Sequence, residues 1–305
     1  MAEIEPTAPA ARPTVATAIG QCTAALARAG IEDAGTDVRR LLAALLNVSA
    51  ARLLSEPERA LTVSQHSALS DRVARRARHE PVSRILGERD FYGRSFALSP
   101  ATLDPRPDTE TLVEAALAVV QEEGWDPSTL RLLDVGTGTG CLLLTLLCEL
   151  PGARGIGTDV SGAALAVARA NAGRLGVADR ATWLTADALE TVDGPVHMLV
   201  SNPPYVRTGD IAGLEPEVRD YDPALALDGG ADGLELYRRL ARRIAAVVPG
   251  GWAILEVGYD QAGAVTSIMR NGMPHPEAVA DVREYRDVAG KRRCVAVRTR
   301  DRGCE

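Results

Sequence analysis

Apolar residues in the second half of the chain fall into two alternating patterns. Short apolar runs predict buried strands, and segments whose apolar residues recur every three or four positions predict helices. Strands are predicted at 131–135, 155–158, 181–185, 197–201 and 252–257, helices at 140–149, 161–174, 233–248 and 259–270, and a closing hairpin at 282–286 and 294–297. This alternation is typical of an α/β fold with a doubly wound, mostly parallel sheet.

The chain before this region has a different pattern. Residues 14–86 carry apolar positions at helical spacing, which predicts a small helical bundle. Residues 87–106 contain aromatic residues around a central glycine and predict a hairpin linker. Residues 1–13 are rich in alanine and proline and predict a disordered tail. The domain with the alternating pattern is therefore predicted at 107–300. The bundle shows no chemistry of its own, so we expect it to recognise a macromolecular substrate.

A glycine-rich segment separates the first strand of the sheet from the following helix. Its sequence is Gly136-Thr137-Gly138-Thr139-Gly140, and alternate glycines let the backbone pass close to a ligand at the helix N-terminus. Asp159 ends the next strand, where a carboxylate suits the two hydroxyls of a ribose. The spacing differs from that of loops that bind pyrophosphate or triphosphate. We therefore predict S-adenosylmethionine, which has a ribose and an adenine but no phosphate.

The tetrapeptide Asn202-Pro203-Pro204-Tyr205 follows the predicted strand 197–201. An amine or amide on an sp2 carbon has a delocalised lone pair, so both N–H groups must be held before the nitrogen attacks an electrophile. The Asn202 side-chain oxygen and the Pro203 carbonyl can accept those hydrogens. The prolines make a stiff turn, and Tyr205 offers a flat face to a planar group. A plain turn after a strand would also explain the prolines.

The glycine-rich segment favours the chemical interpretation of this turn. Ligands of doubly wound sheets bind beyond the carboxyl ends of the strands, where the glycine-rich segment, Asp159 and Asn202 all fall. We therefore predict one cleft in which Asn202 meets both cofactor and substrate. The four residues of the turn are predicted to be catalytic and to bind the substrate.

These motifs resemble those of class I methyltransferases that act on planar nitrogen. Further segments resemble the release factor glutamine methyltransferases (the HemK/PrmC family), namely residues 87–93, 105–110, 215–219, 229–234 and 255–258. The resemblance covers roughly residues 30–298. It implies a seven-stranded methyltransferase sheet with an antiparallel last strand and S-adenosylmethionine as cofactor. It also implies methyl transfer to the side-chain amide nitrogen (N5) of the glutamine in the Gly-Gly-Gln motif of class 1 peptide-chain release factors.

The same resemblance places Arg106 and Glu110 at the substrate entrance. Asp108 between them is also explained as the N-cap of the helix that follows. Residues 214–219 are expected to form part of the docking wall for the substrate loop, or else an exposed charged loop.

The chain departs from the family pattern at two places. Asp104 stands where the family usually has an aliphatic residue. Asp187-Ala188 stands where an aromatic residue often lies near the adenine. Asp187 is a candidate acceptor for the adenine amine, although a strand-end carboxylate in solvent is an equally good interpretation.

Composition limits the class of protein. Of the 305 residues 46% are apolar, enough for a large and a small core. No apolar run approaches the roughly 18 residues that cross a bilayer, and the start lacks the pattern of a secretion signal, so we expect a cytoplasmic protein. The five cysteines lack paired spacing, which favours reduced thiols and no structural metal. The four histidines are scattered, which disfavours a hydrolytic triad.

The charge balance bears on the substrate. The formal net charge is -7, whereas a protein that grips duplex DNA generally needs a basic face. Arg72, Arg75, Arg76 and Arg78 cluster in the bundle and could meet an RNA-like or acidic partner, or form the solvated face of a helix. Two competing functions are an adenine-N6 methyltransferase acting on DNA or RNA and a nucleotide-binding scaffold protein without catalysis. The first would stack Tyr205 on a flipped base, and the second leaves the intact catalytic turn unexplained.

Overall fold

A computed structural model describes residues 12–190, 192 and 194–301. The predicted tail, residues 1–13, lies outside the described residues except for its last two. The chain divides after Leu86 into two compact units. In the described part of the chain, no helix combines the length and apolar character needed to cross a membrane.

The first unit is helical. Its helices are α1 (Val15–Arg28), α2 (Ala34–Leu46), α3 (Ala50–Ser55), α4 (Val63–Arg76) and α5 (Val82–Leu86). Thr62 and Gln65 form a reciprocal capping box that starts α4 by satisfying two otherwise unpaired backbone N–H groups. Leu26, Leu41 and Leu42 are fully buried at positions that the apolar spacing predicts. The predicted N-terminal helical region is confirmed.

The arginine cluster of α4 makes contacts inside this unit. Arg72 donates to the carbonyl of Leu41 at 2.9 Å. Arg76 is 2.7 Å from the Asp37 carboxylate, and both side chains are largely buried. Arg75 donates to Glu80. These three arginines therefore hold the helices and the turn after α4 together, which the sequence analysis did not anticipate.

The second unit contains a hairpin and a large sheet with its helices. The hairpin is β1 (Glu88–Phe91) and β2 (Arg94–Ala97); the sheet strands are β3 (Arg131–Val135), β4 (Arg154–Asp159), β5 (Ala181–Thr185), β6 (Met198–Ser201), β7 (Trp252–Glu256), β8 (Val279–Arg286) and β9 (Arg292–Thr299); the helices are α6 (Glu110–Glu123), α7 (Cys141–Glu149), α8 (Gly162–Arg174), α9 (Pro216–Arg219), α10 (Glu235–Val247) and α11 (Ala262–Gly272). The sheet order is β5-β4-β3-β6-β7-β9-β8. β9 is antiparallel to both neighbours, and the other pairs are parallel.

The predicted doubly wound, seven-stranded sheet with an antiparallel last strand is confirmed. Its central strands are buried on both faces because helices cover each side. Leu132 of β3 packs in the core that includes α6 and α7, whereas the adjacent Leu133 packs in the core that includes α10. Continuous apolar runs in the sequence are the expected mark of such strands.

Asp108 is not the N-cap of α6, so that prediction was wrong. It lies inside a short 3-10 turn, Pro107–Thr109, and its carboxylate is 2.7 Å from Arg293 of β9. Thr109 is the residue directly before α6, and its side chain makes no capping bond. The Asp108 carboxylate therefore pairs with Arg293 of the last strand and does not cap α6.

Candidate active site

The carboxyl ends of β3, β4 and β6 open into a cleft of about 480 Å³. All predicted cofactor residues except Gly140 line it, namely Gly136, Thr137, Gly138, Thr139, Asp159, Asp187, Ala188 and Asn202. These predicted residues are up to 66 positions apart in the sequence and meet in one cleft, as expected for a parallel sheet.

The glycine-rich segment presents bare backbone to the cleft. Gly136 and Gly138 have φ of +72° and +55°, a region that favours glycine, and a Cβ on either would meet no atom within 4 Å. Gly140 has a different function. A Cβ there would lie 2.9 Å from the Leu144 side chain and 3.3 Å from Ala168 Cβ, so glycine allows α7 and α8 to pack closely.

Asp159 is held at the end of β4 by two backbone N–H groups. Its Oδ2 accepts from the N–H of Gly138 at 3.0 Å, and its Oδ1 accepts from the N–H of Ser161 at 2.9 Å. Each carboxylate oxygen keeps further acceptor capacity. The carboxylate is thus fixed beside the glycine-rich segment with acceptors left for a diol.

The Asp187 side chain is half exposed, as a carboxylate in solvent would be, and it pairs with an arginine. Its Oδ1 is 2.8 Å from Arg239 Nη2, and both residues line the cleft. Ala188 is buried with φ of +52°, an uncommon backbone conformation for a residue with a Cβ. The predicted contact between Asp187 and an adenine amine stays a prediction. It would use Oδ2, because Arg239 contacts Oδ1.

The Asn202 side chain has a defined orientation. Its Nδ2 donates to Thr109 Oγ1 at 3.2 Å, and Thr109 also lines the cleft. No described residue donates a hydrogen bond to Asn202 Oδ1. Pro204 lines the cleft as well. The turn therefore offers an amide oxygen to a ligand of the cleft.

Tyr205 ties the turn to the core by a hydrogen bond to a buried carboxylate. It does not line the cleft; its hydroxyl donates to Glu256 Oε1 at 3.3 Å, and burial raises its pKa. The Tyr205 hydroxyl is thus hydrogen-bonded within the protein. The predicted stacking of the Tyr205 ring on a substrate amide stays a prediction.

A glycine-containing loop supports the back of the same turn. The N–H of Val206 donates to the carbonyl of Leu227 at 3.0 Å, and the N–H of Gly229 donates to Val206 at 2.8 Å. Gln261 Nε2 donates to the Tyr205 carbonyl at 3.0 Å. A Cβ on Gly229 would lie 2.7 Å from the Pro204 carbonyl oxygen. The glycines of segment 229–234 thus allow the backbone to approach the turn.

Arg106 and Glu110 lie outside the lining of the cleft. Arg106 Nη2 is 2.5 Å from Asp222 Oδ2, and Glu110 Oε1 accepts from the N–H of Tyr92 at 2.8 Å. These contacts connect the start of α6 with the segment 216–228 and with the hairpin. Substrate contacts of Arg106 and Glu110 stay predictions.

The apolar wall of the cleft was missed by the sequence analysis. Pro223, Leu225 and Ala226 line the cleft, whereas no residue of the predicted docking segment 214–219 does so. Leu225 is 64% exposed. A proline followed by apolar residues in an otherwise charged segment is the signal that could have indicated this wall.

Two buried carboxyl groups lie near the cleft and were not selected from the sequence. Burial raises the pKa of Glu256 to about 7, although hydrogen bonds from Thr109 and Tyr205 and the charge of Arg293 oppose the shift. Burial likewise raises the pKa of Asp134 to about 7, and Thr137 Oγ1 donates to it at 2.7 Å. An acidic residue at the end of an apolar strand is the signal for each.

We expect Glu256→Gln to stabilise the protein increasingly as pH rises. Because the pKa of Glu256 in the folded protein is about 7, above its ordinary 4.5, its favourable contribution is fully present below 4.5 and is lost as pH rises to 7. A neutral glutamine avoids the burial of charge. Urea unfolding at pH 5 and pH 8 should show the variant gaining on the order of 3 kcal/mol relative to wild type between the two values.

Glu277→Gln is the matched control, since Glu277 is exposed. It should show no such pH-dependent gain. A Glu256→Gln variant whose stability relative to wild type is the same at both pH values would contradict the burial argument.

Comparison with known proteins identifies the family. Residues 17–87 match the PrmC N-terminal domain, and residues 112–214 match the Methyltransferase small domain. A release factor glutamine methyltransferase of Rhodospirillum rubrum is 45% identical over 276 residues, which cover 90% of this chain and 82% of the relative. This chain belongs to the release factor glutamine methyltransferase family. A second release factor glutamine methyltransferase, from Bradyrhizobium diazoefficiens, is 43% identical over 90% of this chain and 91% of its own.

A solved structure shows that the fold is shared more widely than the family. The hMettl16 catalytic domain in complex with MAT2A 3′UTR hairpin 6 has a TM-score of 0.55 and 17% identity, and the match covers 76% of this chain and 83% of that one. At this identity the likeness concerns the fold alone. The resemblance to release factor glutamine methyltransferases drawn from the motifs is confirmed by the sequence relatives.

Proposed function

We propose that this protein transfers the methyl group of S-adenosylmethionine to the side-chain amide nitrogen (N5) of the glutamine in the Gly-Gly-Gln motif of class 1 peptide-chain release factors. Family membership supports the reaction and the substrate. The observation that carries the proposal is the Asn202 amide oxygen, held in the cleft beside the glycine-rich segment without a donor among the described residues.

The residues of the cleft fit S-adenosylmethionine. Gly136 and Gly138 leave an open cradle that a Cβ would enter, and Asp159 offers carboxylate oxygens suited to the ribose hydroxyls. The volume of about 480 Å³ lies in the range of small-molecule sites. When bound, the cofactor supplies a methyl electrophile whose bond to sulfur breaks, with the electron pair left on sulfur, as the new carbon–nitrogen bond forms.

The catalytic turn acts on the glutamine amide. Asn202 Oδ1 and the Pro203 carbonyl accept the two amide hydrogens, which fixes the nitrogen and stabilises the positive charge that develops on it. No strong base is needed before attack, because the nitrogen becomes acidic only as the bond forms. The proton then leaves to water.

We expect Asp159→Asn to weaken cofactor binding. An amide offers one acceptor oxygen in place of two charged ones, so a ribose diol loses a charge-assisted hydrogen bond of about 1.5–3 kcal/mol. Isothermal titration with S-adenosylhomocysteine should give a Kd about 10- to 100-fold higher than that of wild type. The exposed Asp179→Asn should leave Kd unchanged. Equal affinities of Asp159→Asn and wild type would remove Asp159 from the site.

A labelled-methyl assay tests the function. Purified enzyme and methyl-labelled S-adenosylmethionine are offered a class 1 release factor, the same factor with the motif glutamine replaced by alanine, duplex DNA and RNA. Label should enter only the intact release factor. Label in either polynucleotide, with none in the release factor, would overturn the proposal in favour of adenine methylation.

The partners follow from the same proposal. We infer that the protein acts in the cytoplasm, where release factors work, and that the helical unit takes part in recognising them. We also infer that it forms no stable complex with nucleic acid. The net charge of -7 and the internal contacts of Arg72, Arg75 and Arg76 support this.

A further inference from the structure

The catalytic turn is linked to the core through Thr109. Asn202 Nδ2 donates to Thr109 Oγ1 at 3.2 Å, and the Thr109 hydroxyl is close enough to the Glu256 carboxyl to lower its pKa. The three residues come from three separate segments, namely the turn after β6, the residue before α6 and the end of β7. We call the path from Asn202 through Thr109 to Glu256 the relay, and it does not depend on the cofactor.

Glu256 is a strong acceptor at the buried end of this path. Its side chain is 1% exposed, and Tyr205 donates to its Oε1 at 3.3 Å. Its Oε2 is buried and has no hydrogen bond of standard geometry among the described residues, so acceptor capacity remains. Six titratable groups on the neighbouring elements interact electrostatically with the carboxyl: Arg293, Asp108, Tyr205, Tyr237, Cys141 and Cys294. Only Arg293 among these carries positive charge, and its electrostatic effect favours the ionised form.

The direction of the Thr109 hydroxyl follows from this arrangement. At pH 8, above its pKa of about 7, Glu256 is mostly ionised and can only accept, so it attracts the one hydroxyl hydrogen of Thr109. The Thr109 oxygen can then only accept from Asn202. This makes the NH2 group of Asn202 face Thr109 and turns its oxygen toward the cleft.

The opposite orientation of the amide would oppose the reaction. If the Asn202 side chain rotated by half a turn, its NH2 group would face the NH2 group of the substrate glutamine, and two donors would meet. The oxygen and nitrogen of an amide have nearly the same shape, so packing alone discriminates weakly between the two orientations. A fixed hydrogen-bond partner is therefore needed.

We propose that Thr109 and Glu256 are positioning residues for methyl transfer, which hold the Asn202 amide with its oxygen toward the substrate nitrogen. The proposal rests on the proposed function, since it assumes that Asn202 accepts a hydrogen from the substrate amide. Thr109 and Glu256 act through Asn202 and need not contact the reacting atoms.

The kinetic test compares Thr109→Val with Thr109→Ser at pH 8. Valine keeps the shape of threonine and removes the hydroxyl, so kcat for release factor methylation should fall about 10- to 100-fold. KM for the release factor and Kd for S-adenosylhomocysteine should stay within about twofold. Serine restores the hydroxyl and should recover most of kcat. The relay is refuted if Thr109→Val keeps the kcat of wild type.

Thr145→Val is the matched control for the kinetic test. The Thr145 hydroxyl is fully buried in α7 and has no hydrogen-bond partner among the described residues, and Thr145 does not line the cleft. This variant makes the same chemical change without touching the relay, so its kcat should equal that of wild type. A similar loss of kcat in Thr145→Val and Thr109→Val would mean that general destabilisation, and not the relay, explains the effect.

A second measurement tests the relay without turnover. The chain has four asparagines, at positions 47, 171, 202 and 271, so selective nitrogen-15 labelling gives four side-chain NH2 signals, and Asn202→Ala assigns the one that matters. In Thr109→Val the hydrogen-bonded Asn202 proton should shift upfield, and in Thr109→Ser it should stay. An unchanged Asn202 signal in Thr109→Val would refute the relay. Absence of methyl transfer by wild type would instead refute the proposed function.

Discussion

Asn202→Ala should lower kcat for release factor methylation by about 10²- to 10³-fold, as expected when a preorganised acceptor for developing charge is removed. In the proposed reaction the Asn202 oxygen holds one substrate amide hydrogen, and alanine leaves only the Pro203 carbonyl. Cofactor affinity should change little, because the glycine-rich segment and Asp159 are unaltered. Single-turnover kinetics at saturating cofactor, with titration of S-adenosylhomocysteine, separate the two quantities.

Asn271→Ala provides the control for this prediction. Asn271 lies in α11 with its side chain exposed, and its Nδ2 donates to Ser267 Oγ one turn away. Its kcat should match that of wild type. If Asn202→Ala kept near wild-type turnover and bound cofactor normally, the glutamine amide would have to be held by other groups and the proposed chemistry would be wrong.

The convergence of the site could be predicted from the sequence because it follows from the topology of a parallel sheet. Apolar runs placed β3, β4 and β6 within a residue or two, and the carboxyl ends of such strands meet at one edge. Gly138, Asp159 and Asn202 each follow or end one of these strands. Their positions along the chain were therefore enough to bring them into one cleft.

Contacts between charged residues that are distant along the chain could not be predicted. Asp108 pairs with Arg293, and Asp187 pairs with Arg239, through side chains that carry no shared local pattern. The local sequence around Asp108 fits a helix-capping pattern, but in the fold its carboxylate pairs with Arg293 instead. The proposed relay through Glu256 could not be predicted for the same reason, since its members come from three segments.

Gly140 shows a related limit. The sequence indicated that it lies near a ligand, but a Cβ on Gly140 would instead meet the side chains of Leu144 and Ala168. A glycine that lines a ligand site and one that allows two helices to pack closely look alike in sequence, and the structure distinguishes them.

Gly233→Ala should disrupt the catalytic turn more severely than any other single methyl addition to this loop. Gly233 has φ of +75°, and a Cβ there would overlap the carbonyl oxygen of Tyr205 and lie 2.7 Å from Gln261 Nε2. Backbone strain of about 1–2 kcal/mol adds to the overlap, so we expect a loss of about 3 kcal/mol or more in the free energy of unfolding. Because the turn must shift, kcat should fall by about 100-fold or more.

Gly176→Ala separates the effect of backbone strain from that of atomic overlap. Gly176 has nearly the same φ, +71°, but a Cβ there would meet nothing within 4 Å. It should lose only about 1 kcal/mol of stability and keep its kcat. Urea unfolding and kcat for both variants make the comparison, and retained binding of S-adenosylhomocysteine by Gly233→Ala would show that the cofactor half of the cleft persists. Equal effects of the two substitutions would mean that backbone strain alone matters and that the loop does not brace the turn. The larger loss expected for Gly233→Ala follows from the contact with the Tyr205 carbonyl, which ties the loop directly to the turn proposed to hold the substrate amide.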